Sequence, residues 1–203
     1  HYWTNQHLKW LNREIGKQPE VTKKVLERLL YQMVQLTNEI KALDEIIEEQ
    51  ALNERYQKKS QALSAFKGID ILSAMTLVTE IGDIRRFAHP KKLVSYGGMD
   101  IIEYSSGGKE KKFGITKMGN RKIRTVLVEA CQSVKPGTTV GKILRNRRKE
   151  IPNEIVDIAE RCQHRLWKKK SRMNKSVKHP NKIKMACARE MVGFIWEALV
   201  AVG

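Results

Sequence analysis

Two adjacent serines, Ser105 and Ser106, stand before Gly107-Gly108 and Lys109, Lys111 and Lys112 in the stretch EYSSGGKEKKFGITKMGN, residues 103–120. Lys117 lies further along it, and Arg121 and Arg124 follow in the next segment. Hydroxyls on a glycine turn leave room for close approach of a ligand to the backbone. Cations around them would attract a phosphodiester, stabilise charge building on its oxygens and ease deprotonation of a serine hydroxyl. A histidine base of the hydrolase kind is not offered. His1, His7, His89, His164 and His179 form no HxH or HExxH spacing, so a Ser–His–Asp triad is unsupported. On pattern alone the same four residues, SSGG, also read as a solvated hairpin tip.

The elements around this stretch can be read from periodicity. Ile101 and Ile102 centre a strand and KKFGIT supplies its return, which makes Ser105 to Glu110 the tip of a hairpin. From Asn120, in the position of an N-cap, Ile123, Val126, Leu127, Ala130, Cys131 and Val134 form one apolar stripe of a helix. Upstream, ALSAFKGIDILSAMTLVTEIGDIRRF reads as a helix to Lys67, a tight turn at Gly68-Ile69-Asp70, a helix to about Ile81 and a turn at Gly82-Asp83. This resembles a helix-hairpin-helix element, in which a glycine turn lets a phosphate reach backbone N–H groups at a helix N-terminus. Gly68, Ile69, Arg85 and Arg86 are its candidate nucleic-acid contacts. The plain alternative makes Gly68 and Gly82 helix C-caps, with Leu72, Met75, Val78 and Ile81 in the core.

Leu26, Leu29, Met33, Leu36, Ile40, Leu43 and Ile47 recur at alternating steps of three and four, a heptad seam. It fits either a dimerising coiled coil or a helix that folds back on the one begun by Trp3 to Leu11. Towards the end, Ile155, Ile158, Cys162 and Leu166 mark an amphipathic helix, and RLWKKKSRMNKSVKHPNKIK, residues 165–184, reads as a basic, mobile connector. A last helix carries Ile183, Cys187, Met191, Phe194, Ile195 and Ala198 inward. The fold class is mainly α: a coiled-coil linker over 1–59, then a domain over 60–203 with the helix-hairpin-helix element at 60–87 and the serine loop at 103–120.

Bulk composition points to a polyanion. The net charge is +17 over 203 residues. Residues 1–60 carry ten Lys/Arg against nine Asp/Glu, leaving 29 against 13 for the rest. A near-neutral front on a strongly basic back suits a structural element joined to a nucleic-acid-binding one. No run of about 18 apolar residues suggests a membrane span. Three cysteines without a CxxC pair fit reduced thiols rather than a metal site, and Asp70, Glu80, Asp83 and Asp100 lack paired-metal spacing and read as residues that cap or solvate helix ends. The opening HYWTNQHLKW contains neither Met nor an apolar leader, which reads as the start of a fragment.

Four blocks in order, WTNQHLKWL, FKGIDILSAMTLVTEIGDIRRF, SYGGMDIIEYSSGGKEKKFGITKMGNRKIRTVLVEA and AREMVGFIWEAL, resemble the Piv-like, DEDD-type transposases of bacterial insertion sequences, the IS-one-ten family. The resemblance implies a serine recombinase in which the serine before the glycine, Ser106, attacks a DNA phosphodiester and forms a covalent phosphoserine link. Ser105 is the alternative nucleophile. Gly107, Lys117, Gly119 and Asn120 would shape the site, and Lys109, Lys111, Lys112, Lys117, Arg121 and Arg124 would hold phosphates. It further implies DNA and a bridge RNA as partners, a cytoplasmic bacterial setting, and a dimer or tetramer joined through the coiled coil. No cofactor is expected in this chain; Mg²⁺ would sit in a RuvC-like domain preceding it. The alternatives are a non-catalytic helix-hairpin-helix DNA-binding module that dimerises through its coiled coil, and a decayed transposase remnant.

Overall fold

A computed structural model describes residues 3–106, 109–135 and 140–203, with 103–106 and 109–113 described by their backbone alone. The chain forms two compact units, His1–Ile47 and Glu48–Gly203. It is mainly helical, as its sequence predicts, with one two-stranded antiparallel sheet among the described residues.

In the first unit, α1 (Asn5–Gly16) begins at Thr4, whose hydroxyl accepts the His7 amide. The long α2 (Glu20–Gln50) follows Pro19 and carries the heptad seam. It buries no residue; Leu29, Leu36, Ile40 and Leu43 are each more than half exposed. Thirty-one helical residues extend roughly 46 Å at 1.5 Å per residue.

The second unit is built around α9 (Pro180–Val202), which meets α3 (Glu54–Ser64), α5 (Pro90–Tyr96), α6 (Arg121–Gln132) and α8 (Asn153–Lys175). Its buried residues, Ile183, Cys187, Ala188, Met191, Val192, Ile195, Ala198 and Leu199, recur at helical spacing over one broad face, wide enough to meet several neighbours. Around it α4 (Ile71–Ile81) packs on α3 and α6, and a 3₁₀ turn (Ile84–Arg86) leads to α5. Trp196 donates its indole N–H to the Phe87 carbonyl at 2.7 Å, fixing that turn to α9. The short α7 (Lys142–Arg148) reaches back to the α3–α4 turn: Arg147 donates to the Ile69 carbonyl at 3.0 Å and Arg148 to Ala65 at 3.0 Å.

The segment expected to be a basic connector is mostly helix, since α8 runs on to Lys175 before a break at Ser176. Lys and Arg are good helix formers, and Leu166, Trp167 and Met173 anchor this half of the helix to the core. The next helix starts at Pro180, where a missing N–H costs nothing, with the His179 ring accepting the Asn181 amide. The three cysteines, distant in sequence, are all buried and free, on α6, α8 and α9.

Candidate functional site: the serine hairpin and its platform

Strands β1 (Ile101–Ser106) and β2 (Lys109–Ile115) pair antiparallel, with Glu103 opposite Lys112, Tyr104 opposite Lys111, Ser105 opposite Glu110 and Ser106 opposite Lys109. The register slips by one residue between Ile101 and Glu103, since Ile101 pairs with Ile115. The ladder thus reaches further than expected. Both serines are strand positions, as are Lys109 and Glu110; of the expected tip, Ser105 to Glu110, Gly107-Gly108 lie outside the described residues. Pleating assigns alternate positions to opposite faces. The positions of Tyr104, Ser106, Lys109 and Lys111 fall on one face of the ribbon; those of Glu103, Ser105, Glu110 and Lys112 fall on the other. The side chains of Ser105, Ser106, Lys109, Lys111 and Lys112 lie outside the described residues.

The foot of the hairpin is a rigid platform. Met99 is fully buried just before β1, worth roughly 1.5–3 kcal/mol for a side chain of its size. The Thr116 amide donates to Asp100, Lys117 to Gly98 at 3.0 Å, and Asn120 to Tyr96 at 2.7 Å. These bonds clamp the segment after β2 onto the end of α5. The clamp is close enough to demand glycine: a Cβ on Gly119 would sit 2.4 Å from the Tyr96 carbonyl oxygen and 2.5 Å from the Gly98 nitrogen. Between them Lys117 takes φ +57°, an uncommon conformation for a residue with a side chain. Its side chain is exposed.

Asn120 does two jobs. Its side-chain Oδ1 accepts the Ile123 amide at 3.1 Å, capping α6, and its Nδ2 donates to the Glu80 carboxylate at 2.6 Å. Glu80 also pairs with Lys122 at 2.8 Å, and the Tyr96 hydroxyl donates to the Glu80 backbone carbonyl. Lys122 first, then Asn120, hold the Glu80 carboxyl below its ordinary pKa. Arg124 donates to the Gly97 carbonyl at 2.6 Å, so one guanidinium nitrogen is spent on the platform. Arg121 is exposed, with no side-chain partner among the described residues. Sequence reasoning did not single out Glu80 or Tyr96 as parts of the site. The Asn120 cap was the available clue, because its unused amide needs an acceptor.

The helix-hairpin-helix candidates are disposed differently. Ile69 is buried, and its amide donates to the Phe66 carbonyl at 3.2 Å. Gly68, at φ +90°, lies against α6, where a Cβ would meet the Ser133 hydroxyl at 2.3 Å. Asp70 caps α4 by accepting the Ser73 amide. Arg85 is paired with Asp83, its Nη2 2.9 Å from the carboxylate, and that pairing lowers the Asp83 pKa to about 2. The Arg86 guanidinium lies over the rings of Phe87 and Tyr96, 4.6 and 4.5 Å from their centres. Among the described residues no group of three or more His, Cys, Asp or Glu side chains is placed to hold a metal ion.

The chain is similar in sequence to known proteins. Residues 60–141 match the family model described as "Transposase IS116/IS110/IS902 family". The chain is 36% identical over 135 residues to the putative transposase y4qE of Sinorhizobium fredii, covering 66% of this chain and 35% of that protein. It is 30% identical over 174 residues to the transposase for insertion sequence element IS1533 of Leptospira borgpetersenii, covering 83% and 49%. The transposase for insertion sequence element IS1111A of Coxiella burnetii is 28% identical over 120 residues. The chain therefore spans about a third to a half of the length of these relatives. No described helix is long and apolar enough to cross a membrane.

Proposed function

We propose that this chain is the serine-bearing part of an insertion-sequence transposase that cuts and exchanges DNA strands through Ser106. The observation that carries the reading is the hairpin register. It gives Ser106 a ribbon face shared with the positions of Lys109 and Lys111 and no acidic position, whereas Ser105 shares its face with Glu103 and Glu110. Apart from Tyr104 and Ser106, the positions on that first face are lysines, which suits an approaching phosphodiester. The family match over residues 60–141, which includes the whole hairpin, supports the same reading.

In the proposed step the Ser106 oxygen attacks phosphorus and the bond to one bridging oxygen of the strand breaks. The serine proton leaves and the departing strand oxygen gains one, so the products are a phosphoserine ester and a free strand hydroxyl. Energy is conserved in the ester, and attack by the hydroxyl of an exchanged strand releases the enzyme. Lys109, Lys111 and the exposed Lys117 offset the charge that builds on the phosphoryl oxygens. The described side chains do not form a metal site, and no step here runs through one. The Mg²⁺ and RuvC-like carboxylates of the resemblance would be contributed from elsewhere. Bridge RNA and target DNA are its proposed partners, and pairing along α2 its proposed route to an oligomer.

The test is to trap a covalent protein–DNA adduct on a denaturing gel, using a full-length transposase that carries this segment with its own DNA, RNA and Mg²⁺. Ser106→Ala should abolish the adduct and Ser105→Ala should keep it. Salt-sensitive DNA binding with no adduct from any variant would instead favour a non-catalytic DNA-binding module.

A further inference from the structure

A trough on the second unit brings together residues almost a hundred positions apart. Its first part, about 540 Å³, is lined by Lys91 on α5, Asp100 at the start of β1, Lys169 on α8, and Arg189 and Glu190 on α9. It continues into a hollow of about 320 Å³ that shares Lys169 and Glu190 and adds Arg165, Lys168 and Arg172 from α8. Six cations thus face two carboxylates. Glu190 accounts for two of the cations, pairing with Arg165 at 2.6 Å and with Lys169. The side chains of Lys91, Lys168, Arg172 and Arg189 have no hydrogen-bond or ion-pair partner among the described residues.

Arg189 is the informative one. Its Nε is buried without an acceptor, and a guanidinium N–H withdrawn from water and left unpaired is costly. The side chain also lines the trough, and a turn of the guanidinium would bring that N–H to an anion held there. Lys168 and Arg172 stand one helical turn apart, about 6 Å along the axis, so they present a row of charge rather than a point. Residues 161–175 hold seven Lys/Arg and no Asp or Glu. An open trough with a cationic row and an orphaned donor suits a linear polyanion better than a small ligand, which would call for enclosure.

We propose that this trough binds the sugar–phosphate backbone of nucleic acid, with Arg189, Lys168 and Arg172 on successive phosphates, as a track separate from the serine face and leading to the foot of its hairpin at Asp100. The inference rests on the transposase reading above. Phosphodiester contacts of this kind position a strand without reading its bases, and DNA and RNA offer the same chemistry.

The experiment measures binding of the 203-residue chain to a labelled 30-mer duplex DNA and to a labelled single-stranded RNA of arbitrary sequence, over a range of salt concentrations. Lys168→Gln with Arg172→Gln should weaken binding several-fold and flatten the log K against log salt slope by about 1.8 for duplex or about 1.4 for single strands, two contacts' worth. Arg189→Gln alone should remove about one contact. Lys142→Gln with Lys149→Gln, exposed on and beside α7, removes the same charge away from the trough and should leave the slope nearly unchanged. The two arms show which nucleic acid occupies the track. Equal losses in trough and control variants, or no loss in the trough variants, would overturn the track and leave the transposase reading standing. A labelled polyglutamate peptide whose binding is lost in the trough variants while nucleic-acid binding survives would hand the trough to an acidic protein segment. Failure of the unaltered chain to bind either nucleic acid would remove both. Variants are compared after their unfolding curves show an unchanged fold; exposed Lys168 and Arg172 keep the test informative if Arg189→Gln does not fold.

Discussion

Glu80 and Asn120, forty residues apart, meet through a 2.6 Å hydrogen bond that joins the end of α4 to the start of α6. The bond matters because Asn120 also caps α6 and ends the segment clamped under the hairpin. Asn120→Ala should lower stability by about 1–2 kcal/mol, since it removes a cap and leaves Glu80 one partner short. Asn120→Ser restores a capping oxygen and should recover only part of the loss. Urea unfolding of the three proteins measures this; equal stability would show that the bond does not tension the platform.

Gly68 should tolerate no side chain. A Cβ there would meet the Ser133 hydroxyl at 2.3 Å and the Ala130 carbonyl at 2.5 Å, at φ +90°. Gly68→Ala is therefore expected to cost about 2–3 kcal/mol or more. Gly193, inside α9 with open space around it, gives the opposite outcome: Gly193→Ala should raise stability by about 0.5–1 kcal/mol. Thermal unfolding of the pair distinguishes crowding from mere loss of chain freedom.

The buried thiols should be inert in the native chain. Burial first, and then the nearby Cys187, push the Cys131 pKa up from 9.0 to about 12, and burial raises Cys162 and Cys187 as well. Iodoacetamide at pH 8 is expected to label none of the three until denaturant is added, when all three react. The raised Cys131 value also fixes a sign. Its contribution to stability is intact below the ordinary thiol value and is lost as pH rises from about 9 to about 12.

Acid should act through a different pair. Glu80 is depressed by Lys122 and then Asn120, and Asp83 is lowered to about 2 by Arg85. A depressed carboxyl stabilises the fold fully above its ordinary value, and that contribution falls away with acidification, for Asp83 between 3.8 and about 2. Both groups are solvent-accessible, so salt should blunt the effect. Asp83→Asn should flatten the acid limb of the stability profile in this window, and an unchanged limb would show that the Asp83–Arg85 pair adds nothing.

Arg148 should prove hard to replace. It is 8% exposed, donates to the Ala65 carbonyl and pairs with Glu160 at 3.1 Å. Arg148→Ala strands a buried carbonyl and should destabilise by about 2–3 kcal/mol. Arg148→Lys, with one head group and no fork, should restore little of it. Denaturant unfolding reads both.

The helices around the hairpin were legible because their apolar residues keep a helical period and Asp70, Gly82 and Asn120 mark their ends. The hairpin was legible too, although its ladder extends through both serines. The second half of α8 was not, since a run of lysines and arginines has no apolar period even where it has strong helix propensity. The platform could be read only in part: Asn120 announces a cap, but nothing in its neighbourhood names Glu80. The trough could not be read at all, because Lys91, Lys168 and Arg189 become neighbours only when α5, α8 and α9 assemble.

That assembly has a kinetic side. Helix α9 meets α3, α5, α6 and α8 at once, yet it is the last of these helices to be synthesised. At roughly 5–20 residues per second, the ribosome spends several seconds making the segments that α9 will cover while their apolar faces remain open to water. The serine hairpin stands between α5 and α6, so its platform cannot gain its full support until α9 has emerged. Contacts of such long sequence separation close slowly. The second unit is therefore expected to fold late and cooperatively, and to depend on whatever shields nascent chains during that interval.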